Sequence, residues 1–217
     1  MDTSGDTSGN FFGDFFEADR GYLRTPEAID RILARTTELD FGMASEPRTG
    51  ALLQALAATK PGGRFLEIGT GTGMATAWLL AGMDATATLT SVDTNEEIQA
   101  VARESLGGDP RLNLLTVDGA AFLWRQPKKC YDLVFADAIP GKYEALDEAL
   151  AIVRVGGYYV IDDMLPQPNW PEGHGEKASA LLDHLSKDQR FFMLPLPWST
   201  GIAVLVRKPR QGAALDC

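Results

Sequence analysis

Hydrophobic and polar positions change period repeatedly along this chain, and the changes mark out its elements. Phe65, Leu66 and Ile68 form a short apolar run that reads as a buried strand. Glycines follow at alternate positions, Gly69, Gly71 and Gly73, and the residues over 74–83 then read as a helix. The same alternation continues downstream. Strands are predicted over 88–93, 112–118, 131–138 and 157–162, with helices over 95–106, through Phe122 and Trp124, over 142–153 and over 176–187. The last two apolar runs, 191–198 and 201–208, flank Ser199-Thr200 with no room for a crossover helix, so they are predicted as a hairpin. Repeated strand–helix units ending in a hairpin predict an α/β fold. The expected architecture is a doubly wound, mostly parallel, seven-stranded sheet with a C-terminal antiparallel hairpin, covered on both faces.

Upstream of the first strand the pattern is helical. Phe11, Phe12, Phe15 and Phe16 make an apolar stripe suited to packing, and Thr25-Pro26-Glu27 reads as a helix start with proline at the first position. A loop over 42–48 precedes a helix over 49–59, which Pro61-Gly62-Gly63 ends. The expected organisation is a polar, disordered tail over 1–10 and N-terminal helices over 11–60 packed on the core. The core itself would span 61–208, with a C-terminal tail over 209–217.

Composition narrows the function classes. The 217 residues are 45% hydrophobic, enough for one substantial core. A net charge of −10 opposes binding to nucleic acid and to anionic membranes. No apolar run approaches the roughly 20 residues that span a bilayer, and no secretory signal pattern opens the chain. Cys130 and Cys217 are too few for a disulfide framework or a zinc site. A reducing cytoplasm is the compartment expected.

The chemistry centres on Glu67-Ile68-Gly69-Thr70-Gly71-Thr72-Gly73. A strand, a glycine turn and a helix bring backbone N–H groups against a nucleotide-type ligand. The dinucleotide fingerprint would need glycine where Met74 stands, and the phosphate loop would need a lysine that is absent nearby. A carboxylate two residues before the first glycine suits a cationic, phosphate-free nucleoside. Ligands in such sheets lie outside the carboxyl ends of the strands, and those ends are acidic here: Glu67, Asp93, Asp118, Asp137 and Asp162-Asp163. Asp93, followed by Thr94, stands about 20 residues past the glycine turn, where an acid accepts hydrogen bonds from ribose hydroxyls. Asp118 suits either ligand contact or the cap of a helix beginning at Gly119. Asp137, Asp162 and Asp163 are hard oxygen donors that suit Mg²⁺ or another divalent cation rather than zinc. Asp162 and Asp163 reach one ion only if the strand breaks there.

Taken together, these pieces resemble the class I S-adenosylmethionine-dependent methyltransferases. Over 42–208 the chain is similar to the cation-dependent O-methyltransferases related to catechol and caffeoyl-CoA O-methyltransferases. The carriers are the glycine motif, Val92-Asp93, Phe135-Ala136-Asp137-Ala138, and Val155-Gly156-Gly157 running into Asp162-Asp163. The resemblance implies S-adenosyl-L-methionine on Glu67, Gly69, Thr70, Gly71, Gly73, Asp93 and Thr94, with Asp137 beside it. It also implies a divalent metal on Asp137, Asp162 and Asp163. Met43 and Ser45 fall where the family's loop touches the cofactor, and Asp118-Gly119-Ala120 where a segment meets the adenine. A small-molecule acceptor is implied, and a homodimer is left open.

Two positions depart from the family. Asp163 stands where asparagine is usual. Pro140 takes the place of the general-base lysine, which leaves Lys142, or His174 in the Trp-Pro-Glu-Gly-His loop, as the candidate base. His184, inside a helix, reads as structural. The expected reaction is in-line attack of a metal-bound acceptor oxygen on the sulfonium methyl. Three alternatives stay open: a metal-independent methyltransferase of the same fold, a tRNA-modifying methyltransferase, and a cofactor-binding protein without catalysis.

Overall fold

The computed structural model describes residues 21–168 and 170–209, so the Phe11–Phe16 stripe, Asn169 and Cys217 lie outside the described residues. Helices α1 (Ile29–Glu38) and α2 (Pro47–Ala58) precede β1 (Arg64–Ile68). There follow α3 (Met74–Gly82), β2 (Thr88–Asp93), α4 (Glu96–Leu106), β3 (Leu112–Thr116), α5 (Gly119–Leu123) and β4 (Tyr131–Ala136). The chain continues through α6 (Ile139–Lys142), α7 (Leu146–Ile152), β5 (Val153–Ile161), α8 (His174–Ser186), β6 (Phe191–Leu196) and β7 (Ile202–Arg207). The sheet has the order β3-β2-β1-β4-β5-β7-β6, with β1 to β5 parallel and β7 antiparallel to both β5 and β6. The hairpin and the seven-stranded architecture expected from the sequence are therefore present.

Alternate strand residues feed two separate cores, as the pleat requires. Leu66, Ile68, Val134, Tyr159 and Ile161 pack with Leu150 of α7 and Leu181 and Leu185 of α8. Their neighbours Phe65, Leu133, Phe135 and Val160 face the other way, onto Leu53 of α2 and Leu79 of α3. A third cluster joins Ile29 and Ile32 of α1 to Trp78 and Val101.

Several boundaries differ from the sequence reading, and three of the differences have a clear local cause. Thr25-Pro26 does not start a helix: Ile29 N–H closes a turn onto the Pro26 carbonyl, and α1 begins at Ile29 without a side-chain cap. Pro47, not Thr49, takes the first position of α2. The single helix expected over 142–153 is broken at Ala145 (φ 52°), and just before it Pro140 (ψ 137°) and Gly141 (φ 86°) leave helical geometry. A short turn and a separate α7 result, and the turn carries Lys142 inward.

Candidate active site

The carboxyl ends of β1, β2 and β4 border a cavity of about 360 Å³. Gly69, Thr70, Gly71, Asp93, Thr94 and Asp137 line it, with Met43, Ser45 and Gly119, all nine of them residues singled out in the sequence. Among the described residues, the only charged groups lining it are Asp93 and Asp137, with no lysine or arginine.

Each of these side chains is held by the fold. Gly69 N–H donates to Val92 C=O of β2 (2.9 Å), and Asp137 N–H donates to Ile68 C=O of β1 (2.9 Å), so three strand ends are tied at one point. Asp93 accepts from the Gly71 N–H (2.8 Å) and the Asn95 N–H (2.9 Å), which fixes the glycine turn against the start of α4. Ser45 Oγ donates to Asp137 Oδ2 (3.0 Å) and anchors the loop before α2.

Four expected ligand residues lie outside the cavity lining. Asp118 caps α5 by accepting the Ala121 N–H (2.7 Å), so of its two readings the cap is the one realised. Ala120 is buried behind it. Gly73 opens α3 and packs against α4, where an added Cβ would meet Ala102 Cβ at 2.7 Å. Glu67 is fully buried beneath the turn, accepting from Thr76 and Ser91 through Oε2 while Oε1 has no partner. The sequence reading missed Phe41, Val117, Ile139 and Pro140, which also line the cavity. Phe41 stands two residues before Met43, but a lone aromatic at a loop edge carries no distinguishing pattern.

Burial raises the Glu67 carboxyl from 4.5 to about 8, against the lowering effect of its Ser91 and Thr76 hydrogen bonds. Between these values the unfolded chain ionises while the folded one keeps its proton. The Glu67 contribution to stability is therefore fully present below pH 4.5 and is lost as pH rises toward 8, by up to ~1.4 kcal/mol per unit. Glu67→Gln should flatten this slope, and urea unfolding of both proteins at pH 5, 6.5 and 8 checks it. Parallel curves for the two proteins would show that Glu67 ionises freely.

The second constellation gathers around Lys142. Its Nζ lies 3.1 Å from Asp137 Oδ1 and 3.6 Å from Asp163 Oδ2, and its side chain is buried. Burial pulls the ammonium pKa down, but Asp137, Asp163 and Asp162 more than offset this, and the net shift is upward. Lys142 therefore keeps its proton at neutral pH, which opposes the base role considered for it. Asp162 accepts from Thr200 Oγ1 (2.5 Å) and from the Asp163 N–H (2.8 Å). β5 ends at Ile161 and Asp163 takes a left-handed φ of 57°, so the strand break that would bring the two aspartates together is present.

The three carboxylates nevertheless do not fit a divalent cation as arranged. Both Asp137 oxygens are engaged, by Lys142 and Ser45, and Asp163 is turned toward the same ammonium. Among the described residues no group of three His, Cys, Asp or Glu side chains is disposed to hold an ion. In the structure the Asp137, Asp162 and Asp163 carboxylates expected to hold a metal form a cluster closed on Lys142.

His174 begins α8 at the edge of this cluster. Its Nε2 lies 3.4 Å from the Tyr143 hydroxyl, and its ring packs against Trp170 with centroids 4.6 Å apart. Burial, Lys142 and Lys177 all lower its pKa from 6.5, so the imidazole is neutral at pH 7. Burial likewise raises the Tyr143 phenol, which stays protonated.

A seven-stranded sheet with this strand order and a cavity at the glycine turn defines the class I methyltransferase architecture. Residues 66–164 match the family model described as a methyltransferase domain. A provisionally designated O-methyltransferase of Mycobacterium sp. (strain JLS) is 34% identical over 187 residues, covering 80% of this chain and 84% of its own. One of Mycobacterium ulcerans (strain Agy99) is 29% identical over 219 residues, covering 95% and 98%. The crystal structure of a Streptomyces achromogenes O-methyltransferase involved in tomaymycin synthesis, in complex with S-adenosylmethionine, superposes with a TM-score of 0.75. It shares 20% identity over 91% of this chain and 96% of that one. The chain belongs to the O-methyltransferase family of these relatives. No helix among the described residues is long and apolar enough to cross a membrane.

Proposed function

We propose that the cavity binds S-adenosylmethionine and that the protein transfers its methyl group to an oxygen of a small-molecule acceptor. The carrying observation is the charge of the lining: two aspartates and no cation, which favours a sulfonium nucleoside over any phosphate ligand. Asp93 keeps acceptor capacity for ribose hydroxyls while holding the glycine turn, and Asp137 places negative charge at the opposite end.

When bound, the sulfonium supplies the methyl: a C–O bond forms as the S–C bond breaks, and the acceptor oxygen loses its proton. The residue suited to take that proton is His174, neutral at pH 7 and reached through the Tyr143 hydroxyl. Tyr143 would accept from the acceptor oxygen as it donates to Nε2. The substrate side is aromatic, with Trp170, Tyr143 and His174 grouped beside the aspartate cluster, which suits a flat acceptor.

Calorimetric titration of wild type and Asp93→Ala with S-adenosylhomocysteine tests the cofactor placement. Loss of hydrogen bonds to a charged group is expected to cost about 1.5–3 kcal/mol, roughly 10- to 150-fold in Kd. Equal affinities would show that the ribose lies elsewhere.

A further inference from the structure

The aspartate cluster raises the question of what neutralises it. Three carboxylates brought together at the ends of β4 and β5 repel one another unless a cation stands among them. Lys142 is delivered there by a built path rather than by a flexible surface chain. Pro140 and Gly141 turn the backbone out of helical geometry, and the Tyr159 hydroxyl, itself fully buried, donates to the Gly141 carbonyl and pins the turn. A Cβ on Gly141 would meet Ile68 Cδ1 and the Tyr159 hydroxyl oxygen at 3.0 Å each, so the turn is packed as well as bonded. The ammonium at its end is 6% exposed, with Asp137 and Asp163 as its ion-pair partners.

Two further oxygens of the cluster are already engaged. Asp137 Oδ2 is held by Ser45, and Asp162 Oδ1 by Thr200 and the Asp163 N–H. A divalent ion with its usual shell of six or more oxygens would have to expel a buried ammonium and undo these bonds.

We propose that Lys142 is the resident counter-cation of the Asp137–Asp162–Asp163 cluster, standing where relatives of the cation-dependent type would hold a divalent ion, so that this site works without one. The inference rests on reading the site as a methyl-transfer centre, but its test does not pass through methyl transfer. Lys142 acts here as a positioning residue that fixes Asp137 and Asp163.

The experiment is Mn²⁺ binding read by loss of the free-ion electron paramagnetic resonance sextet, with Mn²⁺ as the sole added ligand. Wild type is expected to leave the sextet unchanged at submillimolar protein. Lys142→Met, which removes the cation paired with Asp137 and Asp163, should gain Mn²⁺ affinity by at least about tenfold, equivalent to ~1.4 kcal/mol. Lys142→Arg should show no gain, and Lys142→Met combined with Asp137→Asn should lose it, which ties the gain to this cluster. Stoichiometric Mn²⁺ binding by wild type, or no gain in a folded Lys142→Met, would overturn the proposal. Should Lys142→Met fail to fold, thermal melting of wild type decides: a Tm indifferent to Mn²⁺, Mg²⁺ and chelator supports the proposal, and a rise with either ion refutes it. Failure of the cofactor reading shows separately, as absence of S-adenosylhomocysteine binding.

Discussion

Replacing His174 with alanine is expected to cut turnover by roughly 10²–10⁴-fold, the range carried by a positioned general base, with S-adenosylhomocysteine affinity nearly unchanged. Burial and the charges of Lys142 and Lys177 hold the imidazole pKa below 6.5. The wild-type rate should therefore be level around pH 7 and fall as pH drops through that lowered value, where Nε2 becomes protonated. His174→Ala should lose this acid limb, and Tyr143→Phe, which cuts the path to Nε2, should lower turnover and lose the limb as well. Full activity in His174→Ala with an unaltered pH profile would send the proton to water instead. Lys142 does not compete for the role, since its contacts at 3.1 and 3.6 Å with two carboxylates stabilise the charged form.

Sequence periodicity made most of the fold legible, for a physical reason. Strands buried on both faces read as continuous apolar runs, and two of the helices between them begin at capping side chains. Asn95 is one, accepting the Ile98 N–H at 3.1 Å as it starts α4. Legibility failed where backbone freedom rather than hydrophobic pattern decides the path. The composition over 142–153 is helical, yet Ala145 at φ 52° breaks it. Nothing in the apolar spacing announces a non-glycine residue in the left-handed region.

The site divides in the same way. Backbone-built features such as the glycine turn, Asp93 and Asp137 stand at the positions the motif assigns, because their placement follows from strand ends. Features that depend on which way a carboxylate points did not follow from spacing. Glu67 sits on a strand whose side chains alternate between two cores, and it turns into one of them, onto Thr76 and Ser91, rather than toward the cavity. The three aspartates were expected to share a metal because they are hard oxygen donors at positions the resemblance assigns to one. Spacing did not reveal that Lys142, five residues past Asp137 rather than three, is brought back by the Pro140-Gly141 turn to pair with Asp137.

Gly69→Ala should damage both stability and cofactor binding, whereas Gly62→Ala should damage stability alone. Gly69 has φ 99°, a region that side chains rarely adopt, and its added Cβ would lie 2.5 Å from the Asp137 carbonyl oxygen and 3.0 Å from its carbonyl carbon. Backbone atoms cannot swing aside, so the β1 and β4 ends must separate. The strained φ costs about 1–3 kcal/mol, and forced overlap adds roughly 1–3 more. At roughly 2–4 °C per kcal/mol for a chain of this size, melting should drop by about 4–24 °C. Separation of the strand ends would also move Asp137 away from Asp93 and weaken S-adenosylhomocysteine binding by at least the tenfold expected for Asp93→Ala. Gly62, at φ 64°, meets only the Thr86 hydroxyl at 3.3 Å and lies away from the cavity. It carries the conformational cost without the overlap, and its cofactor titration should match wild type. A Gly69→Ala protein that melts lower yet binds S-adenosylhomocysteine as tightly as Gly62→Ala would place the cofactor away from this turn.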